Sequence, residues 1–167
     1  MKFDSIDDIK RSGFRGFLAI SALQASKCHE VPDMRGVYLV LRPKKVPPVF
    51  LTQSTGGHFK GKDPTVKIDR LRKSWVEKAL VLYIGKAGGR AKKATRRSRL
   101  SKYIQYGQGK RVSKRGGRYI WQLGDSGSLL VCWKPTPNAD PRAVEKGLIQ
   151  DFMAKYDGRR PFANLRD

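Results

Sequence analysis

The chain has 167 residues, of which 39% are hydrophobic, which is sufficient for one globular domain with its own core. This composition excludes a disordered basic tail, and no apolar run approaches the length of a membrane-spanning helix. Lysine and arginine total 36 against 14 aspartates and glutamates, a formal net charge of +22. Such an excess repels itself in a compact fold, so it indicates a polyanionic partner.

The first half of the chain contains one clear strand between less regular segments. Residues 14–24 are predicted to form a short helix, whereas residues 36–42 are β-branched and aromatic, as in a strand. Three prolines then interrupt regular structure. Residues 49–51 are expected to form a short strand, and residues 63–75 a helix.

The second half alternates apolar strands with helices. The run 80–84 is predicted to be a buried strand that stops at Gly85, and it is followed by a basic loop over 86–95. A helix is expected over 96–106. Two apolar runs, 118–123 and 129–133, are predicted to be the strands of a hairpin.

The clearest helix is the last one. Asp140 is a good N-cap, proline follows it at the first helical position, and Gly158 suits the C-terminal end. Val144, Leu148 and Phe152 form its inner stripe. The elements together predict an α+β fold, with a small central mixed or antiparallel sheet flanked by helices in a single domain.

The cysteines and the first residues of the chain bear on where the protein is found. Cys28 and Cys132 are expected to be reduced thiols in the core of a cytoplasmic protein. A structural zinc site is not expected, because the two histidines, His29 and His58, have no paired metal-ligand spacing. The first ten residues mix acids and bases without an apolar core segment, so secretion is not expected either.

The positive charge is concentrated in one part of the chain. Residues 86–118 contain no acid, and counterion release rewards such a concentration of cations on phosphates. This segment is interrupted by glycines and lacks the long apolar face of a membrane-surface helix. We therefore predict that it binds nucleic acid through Lys86, Arg90, Lys92, Lys93, Arg96, Arg97, Lys102, Lys110, Arg111, Lys114, Arg115 and Arg118.

Several residues have the chemistry that phosphodiester cleavage needs, namely charge stabilisation and an activated water. Tyr38 and Tyr83 each lie on a predicted strand close to a glycine that permits close backbone approach. Arg99 and Tyr103 are four residues apart and share one helix face. Glu145 borders the apolar stripe of the last helix, where a carboxylate is costly unless it is paired or bound to metal.

These residues resemble the motifs of the GIY-YIG nuclease family. Gly36-Val37-Tyr38 resembles the first motif, and Tyr83-Ile84-Gly85-Lys86 matches the second with the basic residue that commonly follows. Ser98-Arg99-Leu100 resembles the helix with the family's essential arginine, Glu145 its metal-binding glutamate, and Asn164 the asparagine of its closing segment. The resemblance runs from about residue 36 to residue 164.

The resemblance implies a role for each of these residues. Glu145 would hold one Mg²⁺ or Mn²⁺ ion, and Arg99 would stabilise the charge of the transition state. Tyr38 would be the general base for water, which requires nearby cations such as Lys86 and Arg99 because an isolated phenol has a pKa of about 10. Tyr83 would position water or phosphate, Tyr103 would be a hydrogen-bond partner, and Asn164 would organise the site through backbone contacts.

The sequence departs from the family pattern in spacing. Tyr38 and Tyr83 are 45 positions apart, where members usually have about ten, so residues 42–79 are interpreted as an insertion. Residues 1–35 are interpreted as a helical N-terminal extension of the same domain, which spans 1–167. The expected substrate is duplex or branched DNA, with RNA a less favoured partner, for a monomer or a homodimer.

Two other functions are compatible with the charge. One is a nucleic-acid-binding module derived from a nuclease that no longer turns over, and the other is a basic RNA-associated protein of the ribosomal kind. The second would show basic termini and no such set of tyrosines, arginine and glutamate. A nucleotide triphosphate site at residues 85–89 is not expected, because no glycine precedes Gly85 by five residues and no serine or threonine follows Lys86.

Overall fold

The protein has an α+β fold built on one four-stranded antiparallel sheet, as the sequence predicts. A computed structural model describes residues 1–58, 61–88, 96–112 and 116–165. The helices are α1 (Ile6–Arg11), α2 (Ile20–Ala25), α3 (Ile68–Ser74), α4 (Arg96–Gly107) and α5 (Pro141–Lys155). The strands are β1 (Arg15–Ala19), β2 (Gly36–Leu41), β3 (Val81–Ala87) and β4 (Leu130–Pro135).

Strand β2 lies inside the sheet, whose order is β1-β4-β2-β3. Its residues are all buried because helices cover the sheet on both faces. Side chains alternate between the faces, so that Val37 and Leu39 pack with Phe152 of α5, whereas Tyr38 and Val40 pack with Leu100 of α4. The two tyrosine motifs lie on adjacent strands, and Tyr38 is directly opposite Gly85.

A bulge changes the alternation on β3. The register between β2 and β3 shifts after Val40, and Leu82 is the extra residue on β3. Leu82 consequently joins Tyr83 in the core on the α4 side. Tyr83 itself lies in the regular part of the register, opposite Val40, so it shares a face of the sheet with Tyr38.

The predicted helix over 14–24 is wrong in its first half. Residues Arg15–Ala19 form β1, which pairs with β4, and only Ile20–Ala25 are helical. Gly16 has a φ of +98°, and a Cβ atom there would lie 2.5 Å from the ring of Trp133. The tryptophan packing across this glycine favours sheet pairing over the helix that local composition suggests. The region 1–35 is therefore not a purely helical extension, since it contributes a strand to the sheet.

The predicted strand over 118–123 is also wrong, and so is the hairpin. Residues Arg118–Gln122 form a 3₁₀ helix, which begins after Gly117 in the left-handed conformation. Four consecutive side chains from Tyr119 to Gln122 are buried, which a strand with one exposed face does not allow. Strand β4 pairs with β1 and β2 instead.

Strand β3 does not stop at Gly85. It continues through Lys86 and Ala87, because Gly85 leaves space for the ring of Tyr38 on the neighbouring strand. Only the first residues of the predicted loop over 86–95 are thus described, two of them in the strand, and residues 89–95 lie outside the described residues.

The segment 42–79 contains less regular structure than the sequence predicts. Residues 49–51 make only an isolated bridge, between Phe50 and Leu123. Helix α3 begins at Ile68, because Asp63 forms a local turn with Thr65, and Gln122 holds the backbone N–H and C=O of Val66. Arg42 fixes the proline-rich part through an ion pair with Asp125 and hydrogen bonds to three backbone carbonyls.

The remaining elements agree with their predictions. Helix α4 covers the expected range, and α5 begins with the Asp140 side chain accepting a hydrogen bond from the Arg142 N–H. Cys28 and Cys132 are both buried free thiols. No helix in the described ranges combines the length and apolar character needed to cross a membrane.

Candidate active site

Three tyrosines from three elements form one buried cluster. Tyr38 on β2, Tyr83 on β3 and Tyr103 on α4 are exposed by 1%, 7% and 0%, respectively. The ring centroids are 6.0 Å apart for Tyr38 and Tyr83, and 5.6 Å apart for Tyr83 and Tyr103, which stack. The register of β2 and β3 and the packing of α4 on the sheet thus bring together residues that are 65 positions apart in the chain, from 38 to 103.

Three glycines make space for these rings. A Cβ atom added at Gly85 would lie 2.7 Å from Tyr38 Oη, and one at Gly116 would lie 2.7 Å from Tyr83 Oη. At Gly117 the φ is +72°, and an added Cβ would lie 2.9 Å from Tyr103. Each tyrosine therefore lies against a glycine that is distant from it in the sequence. The contact role of Gly85 was expected from the sequence, whereas that of Gly116 and Gly117 was not. The signal for the second role was a glycine doublet next to an aromatic run.

Hydrogen bonds fix the phenol groups. Tyr38 and Tyr83 share a side-chain hydrogen bond, and Tyr103 Oη donates to the Gly117 carbonyl at 2.9 Å. Tyr103 is thus a hydrogen-bond partner of a backbone carbonyl, and not of another side chain in this bond. Because Gly117 also borders Tyr83, this bond ties the start of the 3₁₀ helix to the cluster.

The phenols are held neutral, contrary to the expectation for Tyr38. Burial, followed by the neighbouring phenols Tyr83 and Tyr103, the hydrogen bond that Tyr38 donates to Tyr83, and the Glu145 charge, raises the pKa of Tyr38 well above its usual range. Burial and then the Glu145 charge raise the pKa of Tyr83 to about 12, although the Tyr38 hydrogen bond and Arg99 oppose this. Lys86 and Arg99 do not provide the lowered pKa that a phenolate base at Tyr38 requires near neutral pH.

Glu145 and Lys86 form an ion pair on the α5 side of the sheet. Helix α5 packs against β3, and the Lys86 ammonium contacts Glu145 Oε2. The glutamate side chain is 17% exposed and the lysine side chain 35%, so the pair lies at the rim of the core. Its charge acts on both Tyr38 and Tyr83, which places the carboxylate within electrostatic range of the phenols.

Arg99 lies on the same side of the sheet as the tyrosine cluster, opposite to the Lys86–Glu145 pair. It lies on α4, one turn before Tyr103, and its guanidinium is exposed. Its charge lowers the pKa of Tyr83, so it is also within electrostatic range of that phenol. The four residues Tyr38, Tyr83, Arg99 and Glu145 therefore converge from β2, β3, α4 and α5.

Asn164 binds the backbone at the centre of the second tyrosine motif. Its Oδ1 accepts a hydrogen bond from the Ile84 N–H, and its Nδ2 donates to the Ile84 carbonyl, both at 2.8 Å. The neighbouring Ala163 N–H donates to the Leu82 carbonyl at 2.9 Å. The C-terminal segment thus covers the outer edge of β3 and fixes the position of Tyr83, which lies between these two contacts.

Glu145 is the residue on which a divalent cation would depend, and its carboxylate is paired with Lys86. No group of three or more histidine, cysteine, aspartate or glutamate side chains lies together among the residues that the structure describes. Mg²⁺ is commonly bound by one or two carboxylates together with substrate phosphate and water. Glu145 offers one carboxylate for this purpose, and the cation would compete with Lys86 for it.

The predicted nucleic-acid-binding residues differ in their surroundings. Arg97 donates to the backbone carbonyls of Val31 and His29, so it connects α4 to the preceding loop. Lys86 is paired with Glu145, and Arg118 is half-buried. Lys102, Lys110 and Arg111 are exposed. The side chain of Arg96 and the residues Arg90, Lys92, Lys93, Lys114 and Arg115 lie outside the described residues.

A second set of cations, which the sequence analysis did not assign, lies next to Asn164. Arg70 and Lys73 of α3, with Arg159 and Arg160 near the end of the chain, line a groove that Arg118 and Asn164 share. The signal in the sequence was the helical spacing of Arg70 and Lys73 and the doublet before Pro161. Nothing in the sequence indicated that the two pairs meet.

Comparisons with protein-family models, curated proteins and solved structures found no match to this chain.

Proposed function

We propose that this protein is a metal-dependent endonuclease of the GIY-YIG type that hydrolyses DNA phosphodiester bonds. The observation that carries the proposal is the convergence of two phenols, a guanidinium and a carboxylate from four separate elements. A glutamate at the rim of an apolar core, beside neutral phenols, is costly unless it serves a ligand or a partner.

In this proposal the buried phenols act as hydrogen-bond donors. Because the pKa of each is raised, Tyr38 and Tyr83 carry their protons at neutral pH. Tyr83 Oη would donate to a phosphate oxygen or orient the attacking water, and Tyr38 would hold Tyr83 through their shared hydrogen bond. Such fixed donors stabilise charge that develops in the transition state without reorganisation.

Arg99 and Lys86 supply the positive charge in this proposal. The exposed guanidinium of Arg99 would contact the scissile phosphate, for which its planar donors are suited. Lys86 would leave Glu145 and contact a phosphate when the carboxylate takes a cation. Asn164 would act as a positioning residue, through its hydrogen bonds to Ile84.

Glu145 would hold the divalent cation, Mg²⁺ or Mn²⁺. When bound, the cation would neutralise charge on the phosphate and leaving oxygen and lower the pKa of a coordinated water. Exchange of Lys86 for the cation would also lessen the negative charge that Glu145 exerts on both phenols. The proposal includes a cytoplasmic location and DNA as the partner of the +22 chain. Since one site cuts one strand, cleavage of both strands requires two protomers or successive nicks.

The test is cleavage of supercoiled, branched and single-stranded DNA with Mg²⁺ or Mn²⁺. We expect nicking or cutting that ceases with a chelator, and Arg99→Ala should lower kcat by about 100-fold with a smaller effect on KM. The control is Arg72→Ala, which removes an exposed arginine of α3 that pairs with Asp69 and should leave cleavage unchanged. An equal loss of kcat and of affinity in Arg99→Ala would reduce this residue to an ordinary phosphate contact.

The alternative is a nucleic-acid-binding module without turnover. The ion pair of Lys86 with Glu145 favours it, because that lysine already satisfies the carboxylate on which metal binding depends. Binding to DNA with no cleavage of any substrate, under either metal, would support this alternative and contradict the endonuclease.

A further inference from the structure

We propose that the groove between α3 and the C-terminal segment binds the phosphate backbone of duplex nucleic acid beside the candidate active site. The groove has a volume of about 560 Å³ and is lined by five cations, Arg70, Lys73, Arg118, Arg159 and Arg160. The inference deepens the proposed function and rests on it for the identity of the partner.

The groove differs from neighbouring surfaces in the sign of its charge. None of the described residues that line it is acidic. By contrast, Glu77 lines the groove around Phe50 and Trp75, and Asp69 lines the surface on the other side of Arg70 and Lys73. Cations that gather without a counter-charge are costly to the fold, and phosphate binding offsets that cost.

The backbone of the C-terminal segment is anchored by hydrogen bonds on both sides of Arg160. Arg159 donates to the backbone carbonyls of Lys73 and Trp75 at the end of α3, at 2.7 and 2.8 Å. Beyond Arg160, Ala163 and Asn164 are hydrogen-bonded to β3. Arg159 is thus a positioning residue that fixes the distance between the two walls. Preorganised cations lose less freedom on binding than mobile ones.

Two residues that line the groove are connected to the tyrosine cluster. Asn164 of the C-terminal segment binds the backbone of Ile84, the residue after Tyr83. Arg118 follows Gly117, which contacts Tyr103 and Tyr83. A nucleic-acid backbone in the groove would therefore lie next to the segments that hold the phenols.

The lining favours recognition of backbone over bases. The two aromatic residues in the groove, Tyr119 and Phe162, are each only 2% exposed, so neither presents a ring face to a base. Single-stranded nucleic acid is usually bound by stacking of bases on exposed aromatic rings. Because the groove has no exposed aromatic rings among its described residues, its contacts are with phosphates. Phosphate contacts suit the regular backbone of a duplex and do not depend on the base sequence.

The test compares two triple variants that both reduce the formal charge from +22 to +19. The groove variant is Arg70→Gln, Lys73→Gln and Arg160→Gln, all at exposed positions, and it keeps Arg159 because of its hydrogen bonds. The control is Lys44→Gln, Lys45→Gln and Lys146→Gln, which are exposed positions outside the groove. Binding of a labelled duplex is measured by fluorescence anisotropy in a chelator over a range of salt concentrations.

We expect the groove variant to lose about two to three units from the slope of log affinity against log salt, since each phosphate contact contributes about 0.9. The control should lose less than about one unit. Equal losses in the two variants would overturn the inference, because net charge alone would then explain binding. The same measurement is made with a single-stranded oligonucleotide and with polyglutamate, a polyanion without phosphates. If the groove variant loses more affinity for the single strand than for the duplex, or loses affinity for polyglutamate alone, the inference is also overturned.

This result is separable from the proposed catalysis. The anisotropy measurement uses no metal and no turnover, so it stands whether or not the protein cuts DNA. If the groove variant binds like the control while the wild-type protein cuts DNA, the inference fails and the endonuclease stands. If the groove variant alone loses duplex binding and no protein cuts, the endonuclease fails and the groove stands as a binding surface.

Discussion

At the scale of single residues, glycines decide whether the tyrosine cluster can form. Gly85 lies opposite Tyr38 in the register of β2 and β3, and the phenol ring crosses the strand at that point. Gly117 adds a backbone requirement, because its φ of +72° lies in the left-handed region. The contact of Gly85 with Tyr38 thus joins the glycine of the second motif to the tyrosine of the first.

Substitution of Gly85 tests this contact. Gly85→Ala should destabilise the protein by about 1–3 kcal/mol, as an extra methyl group does in a packed core. Gly147→Ala is the control, because an added Cβ in this interior turn of α5 meets nothing within 4 Å. That change should stabilise the helix by about 0.5–1 kcal/mol. Chemical denaturation measures both, and a neutral Gly85→Ala would show that the ring of Tyr38 does not need this glycine.

At the scale of elements, the sequence predicts what is local and misses what depends on tertiary contacts. Helices α4 and α5 and strand β2 are recognisable from periodicity and capping. The region around Gly16 reads as a helix because its composition is helix-compatible, but pairing with β4 and packing against Trp133 make it a strand. The segment after Gly117 is predicted to be a strand because it is apolar. Its consecutive side chains are all buried, and it forms a 3₁₀ helix instead.

The same distinction applies to the candidate site. Tyr38, Tyr83, Arg99 and Glu145 could be chosen from the sequence because each residue type suits phosphate chemistry in its local pattern. The pairing of Glu145 with Lys86 could not be chosen, because it results from packing α5 against β3. The raised pKa of Tyr38 and of Tyr83 could not be chosen either, because it results chiefly from their burial in the core on the α4 side of the sheet. The pKa of a phenol depends on how much solvent the fold removes from it.

The covering of β3 by the C-terminal segment gives a prediction at this scale. Asn164→Asp removes the donor to the Ile84 carbonyl and places a carboxylate oxygen against it, which should cost about 1–3 kcal/mol. The control is Asn138→Asp, at an exposed turn. Thermal unfolding should show a lower Tm for the first variant alone. An unchanged Tm would show that the side chain of Asn164 does not hold this edge.

At the scale of the whole molecule, the site and the charge reinforce one another. The sheet brings the phenols together, while helices on its two faces bring Arg99 and the Lys86–Glu145 pair to the same end of β3. The groove beside Asn164 adds cations that are distant in the chain from residues 86–118. The cations of the +22 chain are thus not confined to residues 86–118.

The most direct test is the single-turnover rate of DNA cleavage with protein in excess over substrate, in Mg²⁺, for Glu145→Gln beside Glu77→Gln. Both changes remove one carboxylate charge, but Glu77 is exposed and lines the groove around Phe50 and Trp75 instead. We expect Glu145→Gln to cleave at least about 100-fold more slowly while binding DNA normally, and Glu77→Gln to match the wild-type protein. Cleavage by Glu145→Gln at the wild-type rate would contradict a catalytic site built around this carboxylate.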